Sequence, residues 1–312
     1  MFVELHAQTD VGRVRQGNED NFLVLDLASG ENWSGSDERK EPPAAIRRFE
    51  VGSEGLVLIV SDGMGGALAG DVASRMAVES VREMLTEEDS EHKTDDQGAP
   101  VPLVDCLRNA TGYANYAIHR KSLEDPRCSG MGATLTAAAV AGHTMDFVQV
   151  GDSRAYVIRG DEIKLATKDQ SLVQQLVDVG QITEEDAETH MFRNVILQAL
   201  GAQSDLAPVV SRVRLQRGDI MLLCSDGLSG KMRAEEMLQI VADSRGDLTA
   251  ACDALVKEAN KRGGEDNITV VLARFDGADL DAPAPEPINV ELAALEDDPT
   301  LHGAEDDTSP IP

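Results

Sequence analysis

Aromatic residues make up only 3% of this 312-residue chain, with a single tryptophan, so aliphatic side chains and methionine must fill the core. Basic residues are scarce: 28 Lys and Arg stand against 56 Asp and Glu, a formal charge of −28. That imbalance repels phosphate-rich surfaces and argues against nucleic acid and anionic membranes as partners. The four cysteines (Cys106, Cys128, Cys224 and Cys252) show no Cys-x-x-Cys spacing and no nearby histidine, which disfavours zinc. Cys224 lies inside an apolar strand and reads as a buried reduced thiol. No run approaches the roughly 18 apolar residues of a membrane helix. The opening "MFVELHAQTD" has neither the basic nor the apolar region of a secretory signal. A cytoplasmic protein is expected.

What is present is an alternation of short strands and helices. Strand candidates are 21–27, 55–60, 133–140, 144–150, 154–160, 209–215, 219–225 and 267–275. Short turns join several of them, implying antiparallel neighbours. Two longer stretches, from Ala69 and from Leu103, repeat apolar residues at helical spacing. The pattern predicts an α+β fold with helices packed on mainly antiparallel sheets. Residues 28–55 are polar and rich in Gly, Ser and Pro, longer than most loops of compact domains. Residues 276–312 hold eleven acids and no Lys or Arg, and are expected to be a disordered tail.

The acids carry the chemistry. "VLIVSDGMGG" and "MLLCSDGLSG" each drive an apolar strand into Ser-Asp-Gly, ending at Asp62 and Asp226. Either one alone would read as turn chemistry. "FVQVGDSR" ends a third strand near Asp152, while "GNEDNFLVL" and "GGEDNITVVL" begin strands just after Glu19, Asp20, Glu265 and Asp266. In an antiparallel sheet the start of one strand and the end of its neighbour share an edge. Asp20 is therefore expected opposite Asp62, and Asp226 near Asp266, with Asp152 joining if its strand lies in the same stack. So many carboxylates cannot all ionise together without a cation, and an all-oxygen donor set suits Mg²⁺ or Mn²⁺. Gly63 offers a carbonyl beside Asp62. Two such ions make a water nucleophilic at neutral pH, and phosphate esters are the natural substrates. Arg13 and Arg15 are the nearby candidates for gripping a phosphate.

"TDVGRVRQGNEDN", "SDGMGG", "MGATLTAA", "GDSR", "HMFRNVILQALG", "SDGLS" and "GGEDNITVVL" together resemble the ordered motifs of the metal-dependent type 2C (PPM) Ser/Thr protein phosphatases in their bacterial form. The resemblance spans roughly residues 5–275 and implies one phosphatase domain over 1–275, a four-layer αββα sandwich with two Mn²⁺ or Mg²⁺ ions between its sheets. By resemblance, Asp62, Gly63, Asp226 and Asp266 are ligands of the central pair, and Asp152 is a ligand of a third ion. Arg15 matches the phosphate-binding arginine, ahead of Arg13. Glu19 and Asp20 match outer acids that hold metal waters, and residues 165–200 match a substrate-contacting flap. The implied partners are phosphorylated Ser/Thr proteins, a Ser/Thr kinase among them, acted on by a monomer. Departures are present too. Ala67 and Asp71 stand where bacterial relatives usually carry His and Glu, and Met191 replaces a common proline. Met64 occupies the position where eukaryotic members of the family place a histidine acid, so no general acid is assigned. Gly230 stands where an acid is common, which removes one expected support of the third ion.

Two other classes compete: a catalytically silent phosphoprotein-binding module of the same fold, and a metal-dependent nuclease. Complete acids disfavour the first, and the net charge with no basic groove disfavours the second. Strand direction adds a further expectation. The 28–55 insertion should join its strands at the edge opposite the acids, about 20 Å away for six residues at 3.3 Å each.

Overall fold

Side-chain alternation along the central strands explains the layering. The computed structural model describes residues 1–37, 39, 41–66, 69–87, 100–284 and 286–292. In strand β5 (Leu56–Met64), Leu56, Leu58 and Val60 point into an apolar layer between two sheets, while Val57 and Ile59 point to the helices outside. A strand buried on both faces needs apolar residues at every position, and β5 supplies them as far as Ser61.

One sheet holds eight antiparallel strands. Its path runs through β2 (Asp20–Asp26), β3 (Asn32–Ser34), β5, β7 (Leu135–Ala141), β8 (Thr144–Val150), β11 (Val209–Arg214) and β14 (Glu291–Leu292), in the order β14-β11-β8-β7-β5-β2-β3. The short β6 (Gly132–Ala133) pairs with the end of β5. The other sheet has six strands, adding β1 (Phe2–Asp10), β4 (Arg48–Glu50), β9 (Arg154–Arg159), β10 (Glu162–Leu165), β12 (Ile220–Cys224) and β13 (Ile268–Asp276), in the order β10-β9-β12-β13-β1-β4. Helices α2 (Ala69–Thr86) and α3 (Leu103–Glu124) cover the eight-stranded sheet, using the small residues Ala73, Ala77, Ala110 and Ala114 to lie close. Helices α7 (Ala234–Asp243) and α8 (Leu248–Lys261) cover the six-stranded sheet over Leu222, Val270 and Leu272. The result is the four-layer αββα sandwich that the family resemblance implies.

Four short α-helices remain among the described residues: α1 (Ala44–Arg47), α6 (Asp226–Ser229) and the pair α4 (Leu172–Asp178) and α5 (Glu184–Thr189) within 165–200. The 165–200 segment closes on itself at its neck, where Leu172 N–H donates to Val195 O at 2.9 Å and Leu197 N–H to Gln170 O at 2.7 Å. Among the described residues no helix is long and apolar enough to cross a membrane.

Two expectations need correction. The 28–55 insertion does not stay at the far edge. β3 turns back along β2, pairing Val24 with Trp33 and Leu23 with Ser34, so that Ser36 reaches Asn21 beside Asp20 (Asn21 Nδ2 to Ser36 Oγ, 2.6 Å). The chain then crosses to the other sheet, where β4 pairs with β1. Trp33, Ile46 and Val51 are buried between the sheets, and that burial fixes the course of the insertion. The tail expected to be disordered from 276 instead packs through residue 292 in its described part. Leu280 and Ile288 join the inter-sheet core, Ile288 N–H donates to Glu162 Oε2 at 3.0 Å, and β14 adds to β11. Residues 293–312, and Ala67 among the departures, lie outside the described residues.

Candidate metal centre

The acids meet where both sheets end. Asp20 opens β2 directly across from Asp62 near the end of β5, the pairing expected from sequence. In the second sheet β12 and β13 pair up to Cys224 and Val270, so the next turns carry Asp226 on α6 and Asp266 just ahead of β13. Asp152 sits in the link from β8 to β9, which passes from one sheet to the other. Five aspartates from both sheets are thereby gathered at one edge, as the sequence implied.

Burial makes their charges expensive. The Asp62 carboxyl is held well above the usual range by loss of solvent, with Asp20, Asp226, Asp152 and Asp266 adding repulsion. Burial pushes the carboxyls of Asp20 and Asp152 up to about 7, in each case with repulsion from Asp226. Asp226 is raised for the same reason, against a carboxyl–carboxylate hydrogen bond with Asp62. Without a cation these acids can coexist only by sharing protons.

Asp20 and Asp266 are held by neighbouring side chains. Asp20 Oδ2 accepts the hydroxyls of Ser225 and Thr269, both at 2.7 Å, which fixes the plane of the carboxylate. Asn267 organises the loop ahead of the site: its Oδ1 accepts the Glu19 N–H at 2.8 Å, and its Nδ2 donates to Val11 O at 2.9 Å and Gly17 O at 3.0 Å. Arg15, in that loop, donates to Asp266 Oδ2 at 2.7 Å and stands 3.7 Å from Glu19 Oε2. Arg13 reaches none of these acids through a described ion pair; its backbone N–H caps Gly264 O at 2.7 Å. Gly63 admits no side chain, because a Cβ there would lie 2.1 Å from Gly70 O and 2.7 Å from Glu19 O. The thiol of Cys224, buried behind the site, is pushed up to about 12 by burial and stays protonated.

The donor set fits a hard divalent cation. Glu19 Oε1 and Asp226 Oδ1 are buried without a hydrogen-bond partner, a costly state that a cation would relieve. Among the described residues no three acid, histidine or cysteine side chains form a ready-made cage. The reason lies in competing contacts: Asp266 turns to Arg15, Asp20 to two hydroxyls, and Asp62 to Asp226. Sequence reading did not single out Ser225, Thr269, Asn267 or Gly70. Ser225 and Asn267 flank motif acids, and the small Gly70 lies one turn beyond "SDGMGG", so proximity to the acids was the available signal.

An edge cluster of buried and half-buried carboxylates between two sheets, with an arginine at its mouth, defines a metal-dependent phosphoester hydrolase of the αββα type. The family comparison makes the class specific. A protein phosphatase 2C model matches residues 45–272, and the chain belongs to that family. It is 34% identical over 270 residues to the serine/threonine phosphatase stp of Listeria innocua, covering 86% of this chain and 95% of that protein. It is 36% identical over 279 residues to the protein phosphatase PhpP of Streptococcus pneumoniae, covering 89% and 100%. Among solved structures, the catalytic domain of the serine/threonine protein phosphatase PstP in complex with two manganese ions aligns with a TM-score of 0.68 at 30% identity, covering 88% of this chain and 99% of that one. The S. agalactiae serine/threonine phosphatase aligns with a TM-score of 0.72 at 29% identity, covering 88% and 100%.

Proposed function

We propose that this protein phosphatase hydrolyses phosphoserine and phosphothreonine in proteins at the acid cluster, with Asp62, the Gly63 carbonyl, Asp226 and Asp266 holding two Mn²⁺ or Mg²⁺ ions. When bound, such a pair supplies Lewis acidity and a water that is nucleophilic at neutral pH. The chain's own residues do the rest. Arg15, 46% exposed at the mouth, exchanges its contact with Asp266 for the phosphate oxygens of the substrate. Asp20, clamped by Ser225 and Thr269, presents its free oxygen to orient water, and Glu19 assists from the next position. Asp152 serves a third ion. The 165–200 segment receives the peptide around the phosphorylated residue. A cytoplasmic monomer acting on phosphorylated proteins, a Ser/Thr kinase among them, completes the reading.

The supporting observation is the pair of partnerless buried oxygens within a cluster of mutually repelling acids. A silent binding module would have no use for that arrangement. The test is turnover of a phosphothreonine peptide with Mn²⁺, with Mg²⁺ and with chelator, for wild type, Asp62→Asn and Asp226→Asn. Each substitution should lower kcat by at least about a hundredfold, the loss expected when a transition-state charge stabiliser is removed. Substantial turnover by either folded variant at saturating Mn²⁺ would sink the proposal.

A further inference from the structure

A buried junction of hydroxyls ties Asp62 to Asp152. Strand β5 keeps one register with β7 and then with β6, from Leu56–Val140 through Val60–Thr136 to Gly63–Ala133 and Met64–Gly132. In that register Asp62 faces Thr134, and a regular ladder would have them exchange both backbone hydrogen bonds. Only one is made: Thr134 N–H donates to Asp62 O at 2.8 Å. The Asp62 N–H turns instead to Thr134 Oγ1 at 2.9 Å, and Thr134 O takes the Ser61 hydroxyl at 2.7 Å. Two hydroxyls thus rebuild one rung of the sheet at the residue that carries the central acid.

Thr134 Oγ1 also lies 2.8 Å from Ser153 Oγ, one residue beyond Asp152. Ser153 O is in turn held by Thr136 Oγ1 at 2.9 Å and Gln149 Nε2 at 2.8 Å. Ser61, Thr134, Thr136 and Ser153 are fully buried, so water cannot replace a lost partner cheaply. Valine in place of Thr134 would keep the shape but strand both the Asp62 N–H and the Ser153 hydroxyl.

We infer that Thr134 is a positioning residue whose hydroxyl sets Asp62 and Asp152 relative to one another, coupling the central metal pair to the ion at Asp152. The inference rests on the metal reading above, and its test separates the two. Mn²⁺ alone is titrated calorimetrically into the full chain, for wild type, Thr134→Val, Thr134→Ser and Ser153→Ala, with melting in chelator recorded alongside. Partners behind metal ligands typically contribute about 10–100-fold in affinity. Thr134→Val should therefore weaken Mn²⁺ binding by about tenfold or more, while Thr134→Ser, which keeps the hydroxyl, stays within about threefold. Ser153→Ala leaves the Asp62–Thr134 bond in place and should weaken only the last ion to bind. If Thr134→Val does not fold, Ser153→Ala carries the test alone. A wild-type isotherm for Ser153→Ala, or for a folded Thr134→Val that merely melts lower, overturns the inference. Failure of the wild type to take up Mn²⁺ overturns the metal reading and this inference with it.

Discussion

Replacing Gly63 by alanine tests how tightly the site is built into the fold. The new Cβ would stand 2.1 Å from Gly70 O, 2.5 Å from Gly70 C and 2.7 Å from Glu19 O, all of them backbone atoms. No rotamer can relieve such contacts, so either the start of α2 or the Asp62–Gly63 segment must shift by about 1 Å to reach ordinary van der Waals separation. Overpacking of this kind costs about 1–3 kcal/mol, and the backbone character of the obstacle points to the upper end. For a domain of this size that corresponds to a fall in Tm of roughly 5 °C at about 3 kcal/mol. The effect on activity should exceed the effect on stability, because a displacement of about 1 Å at the reacting centre can cost roughly a hundredfold. Aryl-phosphate turnover at saturating Mn²⁺, measured well below the melting point, reads the first effect, and calorimetric melting reads the second. Gly112→Ala is the control: it lies within α3 with open space around it and should stabilise by about 1 kcal/mol through helix propensity. A Gly63→Ala protein with kcat/KM within about threefold of wild type and an unshifted Tm would refute the packing argument.

Arg15→Ala should lower kcat/KM by about 10–100-fold, the loss expected for a charge-assisted contact of about 1.5–3 kcal/mol, and Arg13→Ala should do much less. Lysine at position 15 should rescue poorly, since it lacks the paired donors; the reverse ranking of the two arginines would show the wrong one assigned. In chelator, stability should fall as pH rises. The carboxyls of Asp20 and Asp152 are raised from 3.8 to about 7 in the folded protein, so the native state binds these protons more tightly than the unfolded chain does. Their contribution is complete below pH 3.8 and is lost as pH climbs through about 7. Melting temperatures between about pH 5 and 8 should therefore decline in chelator, with a flatter slope in Asp20→Asn and Asp152→Asn. A flat or rising profile for wild type would contradict the burial argument.

The acid constellation was legible because an aspartate that ends an apolar strand announces both its position and its cost. The Asp20–Asp62 pairing followed from strand direction alone, and the register bears it out. The groups that hold the acids were harder to read. Ser225, Thr269 and Thr134 are hydroxyl residues in or beside strands, where β propensity already accounts for threonine, and nothing local marks one as a carboxylate clamp. The two irregular segments were misread for a related reason. Between 28 and 55 the buried anchors are Trp33, Ile46 and Val51, scattered among polar residues without periodicity. Beyond 276, Leu280 and Ile288 stand alone among acids and prolines. Composition averages such anchors away, whereas burial depends on where each one lands.

Those segments bear on the site through the construction of the sandwich. Asp20 and Asp62 belong to the eight-stranded sheet, while Asp226 and Asp266 follow and precede strands of the six-stranded one. Their mutual placement is therefore set by how the two sheets register on each other, and an apolar layer between sheets has little directional preference of its own. The insertion closes one side, adding β3 to the first sheet and β4 to the second with Trp33 and Ile46 packed between. The C-terminal strap closes the opposite side, running from β13 past Glu162 of β10 to β11. Buried ion pairing tightens that side further, with Arg159 of β9 donating to Asp219 Oδ1 at 2.8 Å and to Arg214 O at 3.0 Å. Each clamp spans both sheets at an edge where sliding would otherwise be resisted only by side-chain packing. A segment can thus govern the geometry of the acids while contributing no side chain to them, and cutting the insertion out would remove a core tryptophan along with a polar loop.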